Sequence, residues 1–386
     1  TVANKVTIPG TLLRHQGKRM PTSVPHEWID TPDKLAQLIP DEPAPLALAV
    51  DTEFMRRNTF YPCLALLQIK LGTHTALIDP LAFTPGQALA EVMSDPANCC
   101  IMHSASEDME ALAELLPHGP GRLFDTQVAA ALAGLGAGLS YQKLVLQLTG
   151  EELEKGETRS DWMQRPLTAS QRDYAALDVV HLHDIHQQLH ARLAELGRLE
   201  WLEEEGRRLC QRAERDRIDP QPQRKLSAAA DWSPPKQALL RRILLWREHS
   251  ARALDKPRPW LINDKQALDL VAQPPADLNE MRQRMRGQRA MRNAQCKALL
   301  EELQRPVTNE ETEATADIPP ALERNQRDHL KRLKQAVAMV AEELDIPAGL
   351  LCPRRLLEEL LVSGSWPDAL EGWRKPLLEP KLTPLL

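Results

Sequence analysis

The chain of 386 residues is poor in aromatic side chains and contains no long apolar run. Phe, Trp and Tyr make up 4% of the residues, and tyrosine occurs three times. No apolar stretch reaches the roughly 18 residues that span a bilayer, which argues against a membrane-spanning helix. The first residues, TVANKVTIPG, lack a basic start followed by an apolar segment, so the sequence predicts no export.

The cysteines also lack the spacings that would give them a structural role. The six cysteines are scattered and form no C-x-x-C pair, which disfavours a zinc ribbon and a disulfide framework. They predict reduced thiols and therefore a cytoplasmic protein. With 42% hydrophobic and 26% charged residues, the composition is that of a folded chain with two to three domains.

Negative and positive charge are unevenly distributed along the chain. Residues 1–200 carry 16 Lys/Arg and 25 Asp/Glu, whereas residues 201–305 carry 22 and 15. Residues 306–386 return to an acidic balance, with 10 and 14. A basic module between two acidic ones indicates contact with phosphates, because clustered cations attract polyanions.

Hydrophobic patterning in the first half predicts a mixed α/β sheet. The apolar run at residues 46–50 is typical of a strand buried on both faces. Further strands are predicted at 63–71, 75–79, 99–103 and 122–125, with a hairpin turn at 71–74. Two capping-box patterns, starting at Ser104 and Thr168, predict a helix over 107–116 and a long helix that ends near residue 195.

The second half is helical and is divided by proline-rich or acidic segments. This pattern predicts an α/β domain followed by two small all-α domains. The expected boundaries are an irregular lead-in at 1–26, the α/β domain at 27–215, a linker at 216–235, a helical domain at 236–305, a linker at 306–320 and a second helical domain at 321–386.

Four carboxylates and one tyrosine form the candidate catalytic group. Asp51 and Glu53 are two apart at the end of a predicted strand, so they share a face, and Asp108 lies in a first helical turn. Tyr174 and Asp178 are four apart on a helix. Each has an ordinary structural interpretation when taken alone. Together, hard oxygen ligands suit two Mg²⁺ or Mn²⁺ ions, which can assist phosphoryl transfer while a phenol orients water.

The residues around these side chains resemble a known family. The strings ALAVDTEF, HSASEDMEAL and YAALDV occur in this order and are similar to the three motifs of DEDD 3′–5′ exonucleases. The Y-x-x-x-D spacing is that of the tyrosine-bearing subgroup. LIDPL, LFDTQVAAAL and SDWMQRPLT look like the ribonuclease D family, and residues 236–305 and 321–386 resemble its HRDC domains.

The resemblance implies an RNase H-like exonuclease fold in which Asp51, Glu53, Asp108 and Asp178 bind two divalent cations and Tyr174 positions the attacking water. It implies a metal-dependent 3′–5′ exoribonuclease that hydrolyses RNA from a free single-stranded 3′ end and releases nucleoside 5′-monophosphates. The expected substrates are tRNA precursors and other small structured RNAs, with no membrane partner. The same chemistry on DNA, or a silent RNA-binding protein on this scaffold, remains an alternative.

Substrate contacts are predicted from aromatic and basic side chains. Phe54, Phe60 and Tyr61 are three of seven Phe/Tyr residues, and aromatic faces stack on unpaired bases. Core packing explains them equally well. Met55 is a candidate wedge beside the terminal base, and Thr52 lies within the first motif. The run at 281–292 has five arginines and no acid, so Arg282, Arg284 and Arg286 are candidate phosphate contacts or a solvated helix face.

Two further groups favour structural interpretations. Arg159, Asp161, Trp162 and Arg165 surround SDWMQRP and predict a brace under the third motif. His186 and His190 have i,i+4 spacing, but residue 187 is Gln rather than Glu and no cysteine is nearby, so a polar helix face is a better interpretation than a zinc site.

Overall fold

A computed structural model describes residues 18–19, 23–39, 45–153, 156–157, 160–214 and 217–386. Most of the predicted lead-in and Arg159 lie outside the described residues. The strands are β1 (Lys18–Arg19), β2 (Glu27–Ile29), β3 (Ala47–Met55), β4 (Cys63–Leu71), β5 (His74–Ile78), β6 (Cys99–Met102), β7 (Leu123–Asp125) and β8 (Glu151–Glu152).

The helices fall into three groups along the chain. The α/β domain contains α1 (Pro32–Leu38), α2 (Gln87–Ser94), α3 (Ser106–Leu112), α4 (Thr126–Leu132), α5 (Tyr141–Thr149), α6 (Ala169–Val180), α7 (Leu182–Glu195) and α8 (Leu199–Ala213). The first helical domain contains α9 (Pro234–Leu254), α10 (Arg258–Leu261), α11 (Asp264–Ala272), α12 (Leu278–Arg284), α13 (Asn293–Gln304) and α14 (Asn309–Glu313). The second contains α15 (Arg324–Glu343), α16 (Ala348–Leu351), α17 (Arg354–Ser363) and α18 (Lys375–Leu382).

The α/β domain is built on a mixed six-stranded sheet with the order β2-β5-β4-β3-β6-β7. β3, β4 and β5 form an antiparallel meander, and β6 and β7 add in parallel to β3. β3 is therefore central, and its residues Leu48–Val50 are fully buried because helices cover both faces. The five predicted strands are confirmed. The edge strand β2, which pairs with β5 and begins directly after the predicted lead-in, was missed.

The helical domains are attached to the α/β domain in different ways. The second shares a hydrophobic core with it, in which Leu333 and Leu357 pack with Leu132 and Ile185. The first has its own core around Leu240 and Leu299. Both predicted linkers contribute to that core, since Ala229 and Ile318 are buried in it.

Helix α8 fastens the second helical domain to the sheet. Trp201 of α8 stacks on Trp373 with ring centroids 4.6 Å apart, and the Glu205 carboxylate pairs with the buried Arg374 guanidinium. On its other side, Gly206 lies against β7. A Cβ at Gly206 would lie 2.7 Å from the Leu123 carbonyl oxygen, so only glycine allows this approach.

We expect Gly206→Ala to lower the free energy of unfolding by about 1–3 kcal/mol, because α8 must move off β7 to admit a methyl group. Chemical denaturation followed by circular dichroism measures the change. Gly349→Ala in α16 is the matched control, since nothing lies within 4 Å of a Cβ there. Equal stability of the two variants would contradict the packing argument.

Candidate active site

Strand β3 places two of the predicted acids at the centre of the sheet. The sequence predicted Asp51 and Glu53 at the end of a buried strand, and both lie in the second half of the observed strand, which continues to Met55. In the antiparallel ladder with β4, Asp51 lies opposite Gln68 and Glu53 opposite Leu66. The register shifts between Glu53 and Phe54, and this irregularity ends the regular pairing directly after the second acid.

Helix α6 carries Tyr174 and Asp178 across the same face of the sheet. Its predicted capping box is confirmed, with Thr168 and Gln171 exchanging side-chain to backbone hydrogen bonds. The prediction of one long helix to residue 195 was wrong, because α6 ends at Val180 and α7 begins at Leu182.

Two side chains satisfy backbone groups at this break. The Lys70 ammonium donates to the Val180 carbonyl at 2.7 Å. The Tyr141 hydroxyl donates to the Leu177 carbonyl and accepts from the His181 N–H, both at 3.2 Å. These bonds fix the end of α6 next to Asp178, so the position of the acid is determined by groups outside its own helix.

Three of the four predicted acids come together. Ligand oxygens of Asp51, Glu53 and Asp178 all lie within 4.8 Å of one another. Among the described residues this is the one place where three or more metal-ligating side chains gather. His186 instead packs edge-on against Phe124, with ring centroids 4.4 Å apart, as expected of a structural histidine.

Asp108 lies beside this group and is held by a neighbouring strand residue. Thr52, which lies between Asp51 and Glu53 on β3, donates its hydroxyl to the Asp108 carboxylate at 2.5 Å. The first-motif threonine, a candidate substrate contact, is thus engaged with the second-motif acid. This bond fixes the Asp108 carboxylate next to β3.

The helix that carries Asp108 begins differently from the prediction. α3 starts at Ser106 with no side-chain cap, and Ser104 adopts a left-handed backbone conformation with φ 59°. The predicted capping box from Ser104 was therefore wrong. Asp125 replaces it by accepting hydrogen bonds from the N–H groups of Ser104 and Ala105 at 3.2 and 2.9 Å.

Burial and mutual repulsion raise the pKa of every acid in the site. Burial raises the pKa of Glu53 to about 8, and the charges of Asp178 and Asp108 add to the effect. Burial likewise raises the pKa of Asp178 to about 7 and that of Asp108 to about 6. The pKa of Asp51 is raised well above its ordinary value, by burial and then by the three other carboxylates.

These properties fit a divalent cation. Carboxylate oxygens are the ligands that Mg²⁺ and Mn²⁺ prefer, and a bound cation would offset both the burial and the repulsion that raise the pKa values. Asp51, Glu53 and Asp178 are close enough to share an ion, and Asp108 borders them. The donor set contains no thiolate or imidazole, which disfavours zinc.

Tyr174 is held against the site by its surroundings. Its ring lies 6.2 Å from that of Trp162, and the Gly156 backbone packs directly on its edge. Burial raises the pKa of the Tyr174 phenol, and the charges of Asp178 and Glu53 raise it further. The phenol therefore stays protonated and can donate a hydrogen bond at neutral pH.

The brace predicted under the third motif is confirmed at Arg165. Its guanidinium contacts both Asp79 carboxylate oxygens at 2.7 and 2.8 Å and the Ala65 carbonyl at 2.6 Å. These bonds join the loop before α6 to β4 and to the end of β5. The sequence analysis used LIDPL only as evidence of a family resemblance. It therefore did not identify Asp79 as the partner of Arg165.

The other predicted substrate contacts are spread over several places. Phe54 and Met55 end β3 and are half-buried. The Phe60 and Tyr61 rings pack edge to face, 4.9 Å apart, and Phe60 is covered by Arg252 and Arg258 of the first helical domain. Arg284 pairs with Glu280, while Arg282 and Arg286 are exposed on and just after α12. Their binding of substrate stays a prediction.

Sequence reasoning also missed Gln68. Gln68 is fully buried opposite Asp51, and neither its amide nitrogen nor its amide oxygen has a hydrogen-bond partner among the described residues. A lone glutamine in an apolar strand pattern, two residues before Lys70, was the available indication that one face of β4 meets a polar site.

Comparison with known proteins places the fold and the site in a family context. A family model described as 3'-5' exonuclease matches residues 26–194, and one described as ribonuclease D, C-terminal HRDC domain, matches residues 325–382. The chain is 42% identical to a ribonuclease D of Xanthomonas oryzae pv. oryzae over 367 residues, which cover 94% of this chain and 99% of that protein.

A second relative gives the same picture and has a solved structure. The chain is 30% identical to the ribonuclease D of Escherichia coli over 379 residues, covering 94% of this chain and 98% of that protein. The crystal structure of Escherichia coli RNase D matches with a TM-score of 0.79 and 29% identity, covering 94% and 99% of the two chains. The predicted fold class, a mixed sheet with flanking helices followed by all-α domains, is confirmed.

We expect the metal-free protein to lose stability as pH rises. Glu53 and Asp178 have raised pKa values when folded, so the folded state holds protons that the unfolded chain releases above about pH 4. Between about pH 5 and pH 8 the free energy of unfolding should fall by about 2–4 kcal/mol. Urea denaturation in EDTA measures this.

Divalent cations should abolish most of this fall in the free energy of unfolding. The Asp178→Asn variant should show a smaller fall even in EDTA. Asp173→Asn, on the same helix but outside the acid group, is the control and should behave like wild type. A pH dependence that is the same with EDTA and with Mg²⁺ would contradict a metal site here.

Proposed function

The chain belongs to the ribonuclease D family of 3′–5′ exoribonucleases, and from this premise we propose that its catalytic residues are Asp51, Glu53, Asp108, Asp178 and Tyr174. As a family member it is a hydrolase that shortens RNA from the 3′ end and depends on divalent metal. The observation that supports the site assignment is the gathering of three half-buried carboxylates within 4.8 Å.

The proposed mechanism divides the work between the acids and the tyrosine. Asp51, Glu53, Asp108 and Asp178 would hold two cations, Mg²⁺ or Mn²⁺. Bound cations would supply positive charge for the phosphate and a more acidic water. Tyr174, protonated and fixed by Gly156 and Trp162, orients the attacking water by hydrogen bonding. The scissile phosphate is attacked by water, so a nucleoside 5′-monophosphate leaves and the RNA keeps a 3′ hydroxyl.

The proposed substrates are tRNA precursors and other small structured RNAs with single-stranded 3′ tails. The relative from Escherichia coli is described as an exoribonuclease involved in structured RNA processing, which supports this choice. Such RNAs are made in the cytoplasm, where we place the protein. Among the described residues no helix is long and apolar enough to cross a membrane.

We expect an RNA stem with a single-stranded 3′ tail, labelled at its 5′ end, to shorten one nucleotide at a time in Mg²⁺ or Mn²⁺ and to stay intact in EDTA. Gel electrophoresis of a time course shows the ladder, and shortening should slow at the stem. A DNA strand of the same sequence is the control. Faster cleavage of DNA would favour a DNA exonuclease, and an intact but bound RNA would favour a silent binding protein.

We expect Asp51→Asn and Asp178→Asn to abolish cleavage while RNA binding persists, because each removes a metal ligand without adding bulk. Tyr174→Phe should lower kcat by about 10²-fold or more with little change in KM, since it removes one positioned hydroxyl. Single-turnover kinetics measure these effects, with Asp173→Asn as the control. Wild-type turnover in Tyr174→Phe would remove the tyrosine from the mechanism.

A further inference from the structure

Two adjoining cavities lie where the α/β domain meets the helical domains, and together we call them the junction channel. The smaller, of about 220 Å³, is bounded by Phe60 and Tyr61 after β3 and by Glu110 of α3. The larger, of about 690 Å³, reaches Arg355 of the second helical domain. Arg212, Arg217 and Arg258 line both cavities, so the two are continuous along these side chains.

One end of the junction channel lies close to the catalytic acids in the fold. Glu110 is two residues from Asp108 on the same short helix, and Arg56 directly follows the strand that carries Asp51 and Glu53. The opening therefore borders the two elements that carry three of the predicted acids, β3 and α3.

The walls of the smaller cavity carry an excess of positive charge. Five arginines line it against two glutamates: Arg56, Arg212, Arg217, Arg252 and Arg258, with Glu110 and Glu214. Arg56 pairs with Glu110, while Arg252 and Arg258 share the single carboxylate of Glu248.

Two of these arginines keep their charge available. Arg212 and Arg217 are exposed, and the described part of the chain provides no carboxylate within ion-pair distance of either. Within the described residues, the Arg217 guanidinium donates to the Gln211 carbonyl at 3.1 Å, and its charge also acts on Asp219, whose carboxylate is paired with Lys225. An exposed guanidinium that forms no ion pair is suited to a phosphate.

The wall beside them is fixed by contacts between domains. Asp255, at the end of α9, accepts hydrogen bonds from the N–H groups of Phe60 and Tyr61 at 2.9 and 3.1 Å. Arg252 and Arg258 lie over the Phe60 ring, with guanidinium carbons 4.9 and 4.6 Å from its centroid. The cations are therefore held in place before a ligand arrives, which lowers the entropy cost of binding.

We infer that the junction channel binds backbone phosphates of the RNA upstream of its 3′ end, with Arg212 and Arg217 as the principal contacts. This inference rests on the proposed function. It identifies the backbone upstream of the 3′ end as the part of the RNA that the junction channel holds. Guanidinium groups on phosphates carry no base information, so binding is independent of sequence. Arg282, Arg284 and Arg286 line neither cavity.

The test compares two double variants that each remove two exposed arginines. Arg212→Gln with Arg217→Gln should weaken binding of a 5′-labelled RNA with a 3′ tail about 10-fold and reduce the salt slope of log Kd by about 1.4, or 0.7 per lost phosphate contact. Arg324→Gln with Arg327→Gln is the matched control and should leave both unchanged, because these two arginines are exposed on α15 and line neither cavity. Fluorescence anisotropy in EDTA measures binding without cleavage.

A second readout separates the channel from the active site. Cleavage of a dinucleotide, which is too short to reach the channel, should proceed at the wild-type rate in both double variants. Arg212→Lys with Arg217→Lys keeps the charge and should retain most of the salt slope, which excludes a folding defect as the cause. An unchanged slope in the Arg212→Gln, Arg217→Gln variant, or an equal loss in the α15 control, would overturn the inference. Absence of cleavage by wild type would instead reject the proposed function.

Discussion

The repulsion between carboxylates gathered in a small, largely buried volume is the constraint around which this structure is built. Asp51, Glu53 and Asp178 bring ligand oxygens within 4.8 Å of one another, and Asp108 borders them. Without cations this arrangement costs free energy, as the raised pKa values of Glu53 and Asp178 show. Only a rigid framework keeps such groups together, so the elements around them must resist relaxation.

The framework meets that requirement by fixing the backbone that carries Asp51, Glu53 and Asp178, while Thr52 holds the Asp108 carboxylate directly. β3 is central in the sheet and pairs with β4 through both of its acids, so neither can move without disrupting this ladder. At α6, Lys70 and Tyr141 satisfy the backbone groups around Val180 and His181. Because Lys70 and Tyr141 bond to backbone groups, they do not occupy carboxylate oxygens that could bind a cation.

Local patterns in the sequence predicted the elements that depend on local physics. The capping box at Thr168, the buried run before Asp51 and the four-residue spacing of Tyr174 and Asp178 follow from period and propensity, and the structure agrees with them. The start of α3 did not follow, because its cap comes from Asp125, 21 residues beyond Ser104 in the chain. The break after Val180 likewise depends on side chains from β4 and α5, which no local pattern reveals.

The contacts between domains were beyond prediction for the same reason, yet they explain the uneven charge of the sequence. An acidic active site repels the polyanion that it hydrolyses, so cations must be supplied both at the acids and along the approach. The basic middle segment supplies Arg212, Arg252 and Arg258 at the junction. The acidic C-terminal domain instead uses a basic residue to attach itself to α8, because Arg374 is buried against Glu205 of that helix. Placing the helical domains around the opening thus lets an acidic catalytic domain accept RNA without losing any of the carboxylates that its chemistry needs.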